Sequence, residues 1–142
     1  MFRTLLAAVI LLAFLGSGTA RADELLIIAN SSVQTPVPLS LRRIAAIYLL
    51  RVTTWPDGTH IIPVNREATS PSRLEFNARV LQQDNDDLAD YWNEMHYLGK
   101  LPPVVQESDE AMLAFVQNVP GAVGYISGST APANVKVLAH VR

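Results

Sequence analysis

The sequence predicts an α/β domain in which a mostly parallel sheet is flanked by helices. Short continuous apolar runs, typical of strands buried on both faces, alternate along the chain with amphipathic segments of helical period. The chain has no cysteine, so it must be held together by its core and not by disulfides. About 120 residues follow a predicted leader, which is enough for one domain with one core.

The N-terminus has the parts of a secretory signal peptide. Arg3 supplies positive charge, residues 5–16 are apolar, and Ala20-Arg21-Ala22 has the A-x-A form that signal peptidase cleaves. Cleavage there gives a signal peptide of residues 1–22 and a single mature domain of residues 23–142. An uncleaved membrane anchor is the alternative, but a bilayer span takes about 20 apolar residues. We therefore expect export to the periplasm, and without cysteine a lipid-anchored form is excluded.

Charge argues against two classes of partner. The full chain has a formal net charge of −2. Without Arg3 and Arg21, nine basic residues face thirteen acidic ones, so the mature chain has a net charge of −4. An acidic domain has no electrostatic attraction to nucleic acid or to anionic lipid.

The first half of the mature chain predicts strand, helix and strand. Leu25 to Asn30 is a continuous apolar run and indicates a buried strand. Ser40 is a helix cap, and the helix that follows ends near Leu50. Residues 61–64 predict a second short strand, and the polar residues 65–69 predict a loop.

Three helices are predicted next. Ser70-Pro71 places a capping residue before a proline at the first helical position, and the helix runs to about Leu81. Asn85 opens a helix with an apolar stripe that ends at Gly99, and Ser108 opens a fourth whose first turn is acidic, as the helix dipole favours. Pro120-Gly121 then turns the chain into predicted strands at residues 122–126 and 135–139.

The junction at residues 64–73 has the residues expected of an anion site. A helix N-terminus offers unpaired backbone N–H groups, and this one follows the carboxyl end of a strand, where open α/β sheets bind ligands. Ser70 and Ser72 add hydroxyl groups, and Arg66 and Arg73 add guanidinium groups that match phosphate or carboxylate oxygens. The alternative interpretation is a capped helix with two solvated arginines.

Other polar groups favour structural roles. Asp86, Asp87, Asp90 and Glu94 lie on the polar face of an amphipathic helix. The three histidines lack metal-binding spacing, so neither a metal nor a cofactor is predicted. The sequence assembles no nucleophile with a base, so we predict that the protein is not an enzyme. The small polar loop at residues 127–134 could touch a ligand, but nothing in the sequence places it beside one.

Three stretches resemble the phosphate-type periplasmic substrate-binding proteins of ABC transporters. The first is Leu39 to Leu49 followed by Val52-Thr53-Thr54-Trp55, where a capped helix leads to a tryptophan. The second is Ile62-Pro63-Val64-Asn65-Arg66 continuing to Ser70-Pro71-Ser72, which is similar to a strand, an arginine and a Ser-Gly-Thr helix start. The third is Pro120 to Ile126, which is similar to Pro-Gly-Ala-Ile-Gly-Tyr-Val. The resemblance covers roughly residues 25–140.

The resemblance implies one lobe of a type II periplasmic-binding-protein fold. Carried over by position, it makes Arg66 the ion-pairing arginine and Ser70 the serine, while Ser72 keeps the hydroxyl of the threonine. Pro71 replaces the glycine and so lacks the backbone N–H of that position. Ala68 stands nearest to the position of the acidic residue in the family, with Glu67 one residue away.

Two functions follow from these residues. In the first, the domain binds phosphate or a related oxyanion weakly through Arg66, Ser70, Ser72 and Arg73, as an accessory to phosphate ABC transport, with a second chain or a homodimer completing the site. In the second, the lobe has kept its fold, lost tight ligand binding, and docks on an envelope protein or a transporter.

Overall fold

A single five-stranded sheet organises the part of the chain that the structure describes. The structure is a computed structural model and describes residues 24–142, so the predicted signal peptide lies outside the described residues. The strands are β1 Leu25–Ala29, β2 Ile62–Arg66, β3 Val104–Gln106, β4 Ala122–Ser127 and β5 Lys136–Val141. The helices are α1 Leu41–Tyr48, α2 Pro71–Phe76, α3 Asn85–Tyr97 and α4 Asp109–Asn118, and a π-helical turn, Asn77–Leu81, continues α2.

The strand order is β3-β2-β4-β1-β5. β2 is parallel to both β3 and β4, whereas β1 lies between β4 and β5 and is antiparallel to both. Four of the five strands therefore run in the same direction, and the predicted mostly parallel α/β sheet is confirmed. Their carboxyl ends meet at one edge of the sheet, the edge at which open α/β sheets bind ligands.

Helices cover both faces of the sheet, which explains why its strands read as continuous apolar runs. On one face, Tyr48 of α1 and Phe76 of α2 are buried against Tyr125 of β4. On the other face, Met112 and Val116 of α4 are buried in a second cluster with apolar side chains from β1, β2 and β4. The core thus has two layers separated by the sheet.

The turn between α4 and β4 depends on a glycine. Gly121 has a φ of 80°, and a Cβ at this position would overlap the carbonyl of His60. The carbonyl oxygen of Gly121 accepts a hydrogen bond of 2.9 Å from the indole N–H of Trp55, which is buried. The backbone of the turn therefore packs directly against the loop that carries Trp55.

Several predicted boundaries differ from the structure. β2 extends through Asn65 and Arg66, which were predicted to lie in a loop, because both residues pair with β3. β3 itself was not predicted, since it is only three residues long and follows two prolines. The helix predicted from residue 71 to 81 widens into the π-helical turn after Phe76 and ends at Gln82, which has a φ of 55°.

Among residues 24–142, no helix is long and apolar enough to cross a bilayer.

Candidate functional site

The helix start at Ser70 forms as predicted. The Ser70 Oγ accepts a hydrogen bond of 2.9 Å from the backbone N–H of Arg73, and Pro71 occupies the first helical position. Ser70 is buried, whereas Ser72 is half-buried in the first turn. The oxygen of Ser70 is therefore engaged in capping α2, while its hydroxyl proton is not required for that bond.

Arg66 is the last residue of β2 and lies at the carboxyl edge of the sheet. Its side chain is only 11% exposed and forms ion pairs with Asp109 at 2.5 Å and with Glu67 at 3.2 Å. Its Nη2 also donates to the carbonyl oxygen of Glu107 at 3.4 Å. Hydrogen bonds from Arg66 hold the pKa of the Glu67 carboxyl below its usual value. Two carboxylates thus share one guanidinium, so this cluster has an excess of negative charge at neutral pH.

Arg73 connects α2 to the end of β2. Its Nη1 donates a hydrogen bond of 2.7 Å to the carbonyl oxygen of Arg66, and its Nε donates to Asn77 Oδ1 at 3.2 Å. Contacts of Arg73 therefore bring Arg66, Ser70 and Arg73 together at this junction. The guanidinium of Arg73 contacts protein atoms, so the interpretation of two solvated arginines does not describe this junction.

Asp109 is the residue of this edge that the sequence did not single out. It is the first residue of α4, and its side chain is 13% exposed. Its Oδ1 accepts from Arg66 Nη1, and its Oδ2 accepts from the backbone N–H of Ser127 and from the hydroxyl of Thr130, both at 2.9 Å. Sequence interpretation assigned Asp109 to the acidic first turn of a helix. The polar loop at residues 127–134, in which the sequence indicates residues able to touch a ligand, contacts Asp109 through Thr130.

Buried tyrosines fix the backbone beneath Arg66. The hydroxyl of Tyr125 donates to Asn65 Oδ1 and accepts from the backbone N–H of Arg66 at 3.2 Å. Its ring stacks on Phe76, with ring centroids 4.2 Å apart. The Tyr48 hydroxyl donates to the carbonyl oxygen of Val64 at 2.9 Å. Burial raises the pKa of both Tyr48 and Tyr125, so both remain neutral hydrogen-bond donors at physiological pH.

Metal ligands do not cluster in this region. Within residues 24–142, no three His, Asp or Glu side chains gather in a way that could hold a metal ion. The carboxyl edge presents guanidinium groups, hydroxyl groups, backbone N–H groups and carboxylates.

Several solved structures share this fold. A protein described as a phosphate ABC transporter substrate-binding protein from Clostridium perfringens, with bound phosphate, matches with a TM-score of 0.63 and 24% identity over 80% of this chain and 43% of that one. An ABC-type phosphate transport receptor from Vibrio cholerae matches with a TM-score of 0.63 and 22% identity, over 80% of this chain and 44% of the receptor. PstS from Borrelia burgdorferi matches with a TM-score of 0.57 and 17% identity, over 72% and 39% of the two chains.

These matches define the class of fold. The chain spans less than half the length of the three solved proteins. No protein-family model and no curated protein matches the sequence. At these identities the likeness shows the fold alone, and the predicted α/β fold of the periplasmic-binding-protein type is confirmed.

Proposed function

We propose that this chain is an exported, non-enzymatic domain that binds phosphate or a related oxyanion weakly, as an accessory to phosphate ABC transport. The observation that carries the proposal is the position of Arg66. It lies at the carboxyl edge of the sheet, in a fold shared with receptors whose descriptions name phosphate. A guanidinium held at this edge is the group that pairs most favourably with a phosphate oxygen.

In this proposal Arg66 and Ser72 contact the anion, Ser70 donates its hydroxyl proton, and Arg73 supports them from the first turn of α2. Arg73 holds both the cap oxygen of Ser70 and the backbone carbonyl of Arg66, so it positions the two predicted ligand residues relative to each other. Proline at position 71 removes one backbone N–H from the set of donors.

Weak binding follows from competition within the site. Glu67 and Asp109 already pair with Arg66, and a phosphate must either displace a carboxylate or approach beside two negative charges. Either route opposes the attraction to the guanidinium. We therefore expect a dissociation constant in the millimolar range, which corresponds to about −4 kcal/mol.

Isothermal titration of phosphate at low salt, with sulfate as the competing oxyanion, tests this function. Arg66→Ala should abolish the heat of phosphate binding. Arg43→Ala is the matched control, because Arg43 is exposed on α1 and the substitution removes the same charge. Equal binding by the Arg66 and Arg43 variants would exclude Arg66 from the site.

Export is tested independently of ligand binding. We propose that residues 1–22 are removed and that the mature protein begins at Asp23 in the periplasm, as the A-x-A sequence before it indicates. The full chain should be expressed in a Gram-negative host and its intact mass measured in the periplasmic fraction. Recovery of only the uncleaved chain in the membrane fraction would contradict the proposal.

An exposed apolar segment favours a second candidate, a protein-interaction module. Residues 97–105 include large apolar side chains that are between 49% and 89% exposed, namely Tyr97, Leu98, Leu101, Val104 and Val105. The last two belong to β3, which is an edge strand of the sheet with its outer side open to pairing. An apolar groove of about 310 Å³ lies beside this segment.

In this second candidate the partner is an envelope protein, a transporter subunit or a second copy of the chain that covers the edge strand. Crosslinking in intact cells, followed by purification of the tagged protein, tests it. The variant Leu101→Glu with Val105→Glu should lose the crosslinked species. Glu94→Lys, which changes an exposed residue of α3, should retain it. Loss of the species in both variants, or in neither, would contradict a partner at this segment.

A further inference from the structure

We propose that the carboxylate of Asp109 is an internal anion that occupies the oxyanion-binding donors of this edge. The inference rests on the proposed function, because it explains how binding at that site is restricted. It also assigns Ser127 and Thr130 as donors of the site, in addition to Arg66 and the residues at the start of α2.

The donors around Asp109 are those that proteins use to hold an oxyanion. One guanidinium N–H, one backbone N–H and one hydroxyl converge on the two oxygens of a single carboxylate, from Arg66, Ser127 and Thr130 respectively. The two longer contacts are both 2.9 Å, within the normal range for hydrogen bonds to an ionised oxygen. A phosphate presents oxygens of the same charge and acceptor chemistry as this carboxylate.

The donors come from three separate parts of the fold. Arg66 ends β2, Ser127 ends β4, and Thr130 belongs to the loop that follows β4. Since β2 and β4 are parallel neighbours, their ends lie side by side at the carboxyl edge. Asp109, the first residue of α4, contacts all three of these parts. The three donors therefore belong to the carboxyl edge of the sheet and to the loop after β4, and the Asp109 carboxylate accepts a hydrogen bond from each of them.

The surroundings of Asp109 are largely protected from water. The side chains of Asp109 and Arg66 are 13% and 11% exposed. Ion pairs in such surroundings are screened by salt less than surface pairs are. An external anion must therefore displace a well-held carboxylate, which makes Asp109 the residue that sets the affinity of the site.

Removal of the Asp109 carboxylate should allow an external anion to bind in its place. In Asp109→Ala the three hydrogen bonds that Arg66, Ser127 and Thr130 donate to Asp109 are lost, and phosphate can take the place of the carboxylate. We expect phosphate to bind Asp109→Ala tighter than wild type by about tenfold or more, since one charge-assisted hydrogen bond is sufficient for such a factor. Formate, a carboxylate of the size removed, should also raise the melting temperature of Asp109→Ala more than that of wild type.

The experiment uses the full chain, expressed with its own leader and purified in the form that the cell produces. Phosphate and formate are titrated into wild type, Asp109→Ala, Asp109→Asn and Glu110→Ala, with calorimetry and thermal denaturation as readouts. Glu110 is the matched control, because it is the exposed neighbour of Asp109 in the same first turn of α4. Asp109→Asn keeps the shape of the side chain and removes its charge, so it replaces the alanine variant if that variant does not fold.

The outcomes separate this inference from the proposed function. Tighter phosphate binding by the Asp109 variants supports the inference, even if wild type binds no phosphate, in which case only the proposed function fails. Binding by wild type that the Asp109 variants do not exceed overturns the inference and leaves the proposed function intact. If neither variant folds in buffer, folding that depends on added phosphate or formate supports the inference, and failure of both anions to rescue folding overturns it.

Discussion

The side chain of Asn30 connects the last turn of α4 to the end of β1 by hydrogen bonds. The loss of stability on replacing Asn30 can be worked out from these contacts. Its Nδ2 donates to the carbonyl oxygens of Val116 at 2.8 Å and Gln117 at 3.1 Å. Its Oδ1 accepts from the backbone N–H of Ser32 at 2.9 Å. The residue is only 5% exposed, so water cannot readily replace these hydrogen bonds.

Asn30→Asp preserves the shape of the side chain but replaces its donating amide nitrogen with an accepting oxygen. The new carboxylate oxygen faces two carbonyl oxygens at the negative end of a helix dipole, where the amide had donated. Two lost hydrogen bonds cost about 1 kcal/mol each, and the unfavourable charge at the helix end adds about 1 kcal/mol. We expect the free energy of unfolding to fall by about 3 kcal/mol at pH 7, a large part of the 5–15 kcal/mol typical of a domain.

The loss should depend on pH with a definite sign. The folded state disfavours the ionised carboxyl, so its pKa is higher in the folded than in the unfolded chain. Stability should therefore be recovered as pH falls toward the unfolded pKa of about 4 and lost as pH rises. Urea denaturation at neutral and at mildly acidic pH measures both effects.

The matched control is Asn118→Asp. Asn118 lies at the same helix end, but it is exposed, and the same chemical change should cost only about 0.5 kcal/mol. If the Asn30 variant lost no more stability than the Asn118 variant, the argument that buried hydrogen bonds from Asn30 hold α4 in place would be refuted.

Three further predictions concern the core and the site. Gly124→Ala places a methyl group against Met112 Sδ and within 3.2 Å of Val116 Cγ2; thermal denaturation should show a loss of about 1–3 kcal/mol, and an unchanged transition would contradict the close packing of α4 on β4. Burial raises the pKa of Tyr48 and Tyr125, so stability should fall as pH rises past about 10, where the unfolded chain loses protons that the folded chain retains; urea denaturation of the double Tyr→Phe variant should show a weaker dependence. Hydrogen bonds from Arg66 lower the pKa of Glu67, so this pair contributes stability above the usual carboxyl pKa and loses it as pH falls through the lowered value; Arg66→Ala should raise the pKa of Glu67 measured by NMR, and an unchanged pKa would contradict the pairing.

Local patterns in the sequence were sufficient to predict the main elements. The caps at Ser40, Ser70 and Ser108 are formed as predicted, each accepting from a backbone N–H three residues later. These signals are reliable because a capping oxygen satisfies a donor that would otherwise lack a partner, whatever the rest of the fold does. The apolar runs indicated buried strands for the same reason, since a strand covered on both faces needs apolar side chains on both.

Strand pairing could not be predicted from these patterns. β1 is antiparallel to its two neighbours, and a continuous apolar run contains no information about direction. β3 has three residues and half-exposed side chains, so it lacks the apolar signal of the other strands. Because β3 pairs with β2, Asn65 and Arg66 belong to the sheet, whereas the sequence predicted a loop at these residues.

The sequence by itself indicated a candidate site at the junction of β2 and α2, and the tertiary structure decided which distant residues contact that junction. Arg66, Ser70, Ser72 and Arg73 were identified because they lie within eight residues of one another, where a strand meets a helix start. Asp109 is 43 residues from Arg66, and Thr130 is a further 21 residues along the chain. Asp109 contacts Arg66, and Thr130 contacts Asp109, because parallel strands bring their carboxyl ends to one edge of the sheet and α4 begins at that edge. Charges that are distant in sequence pair only when the fold brings them together, and here the fold pairs Arg66, which the sequence predicted to bind an external anion, with a carboxylate of the chain itself.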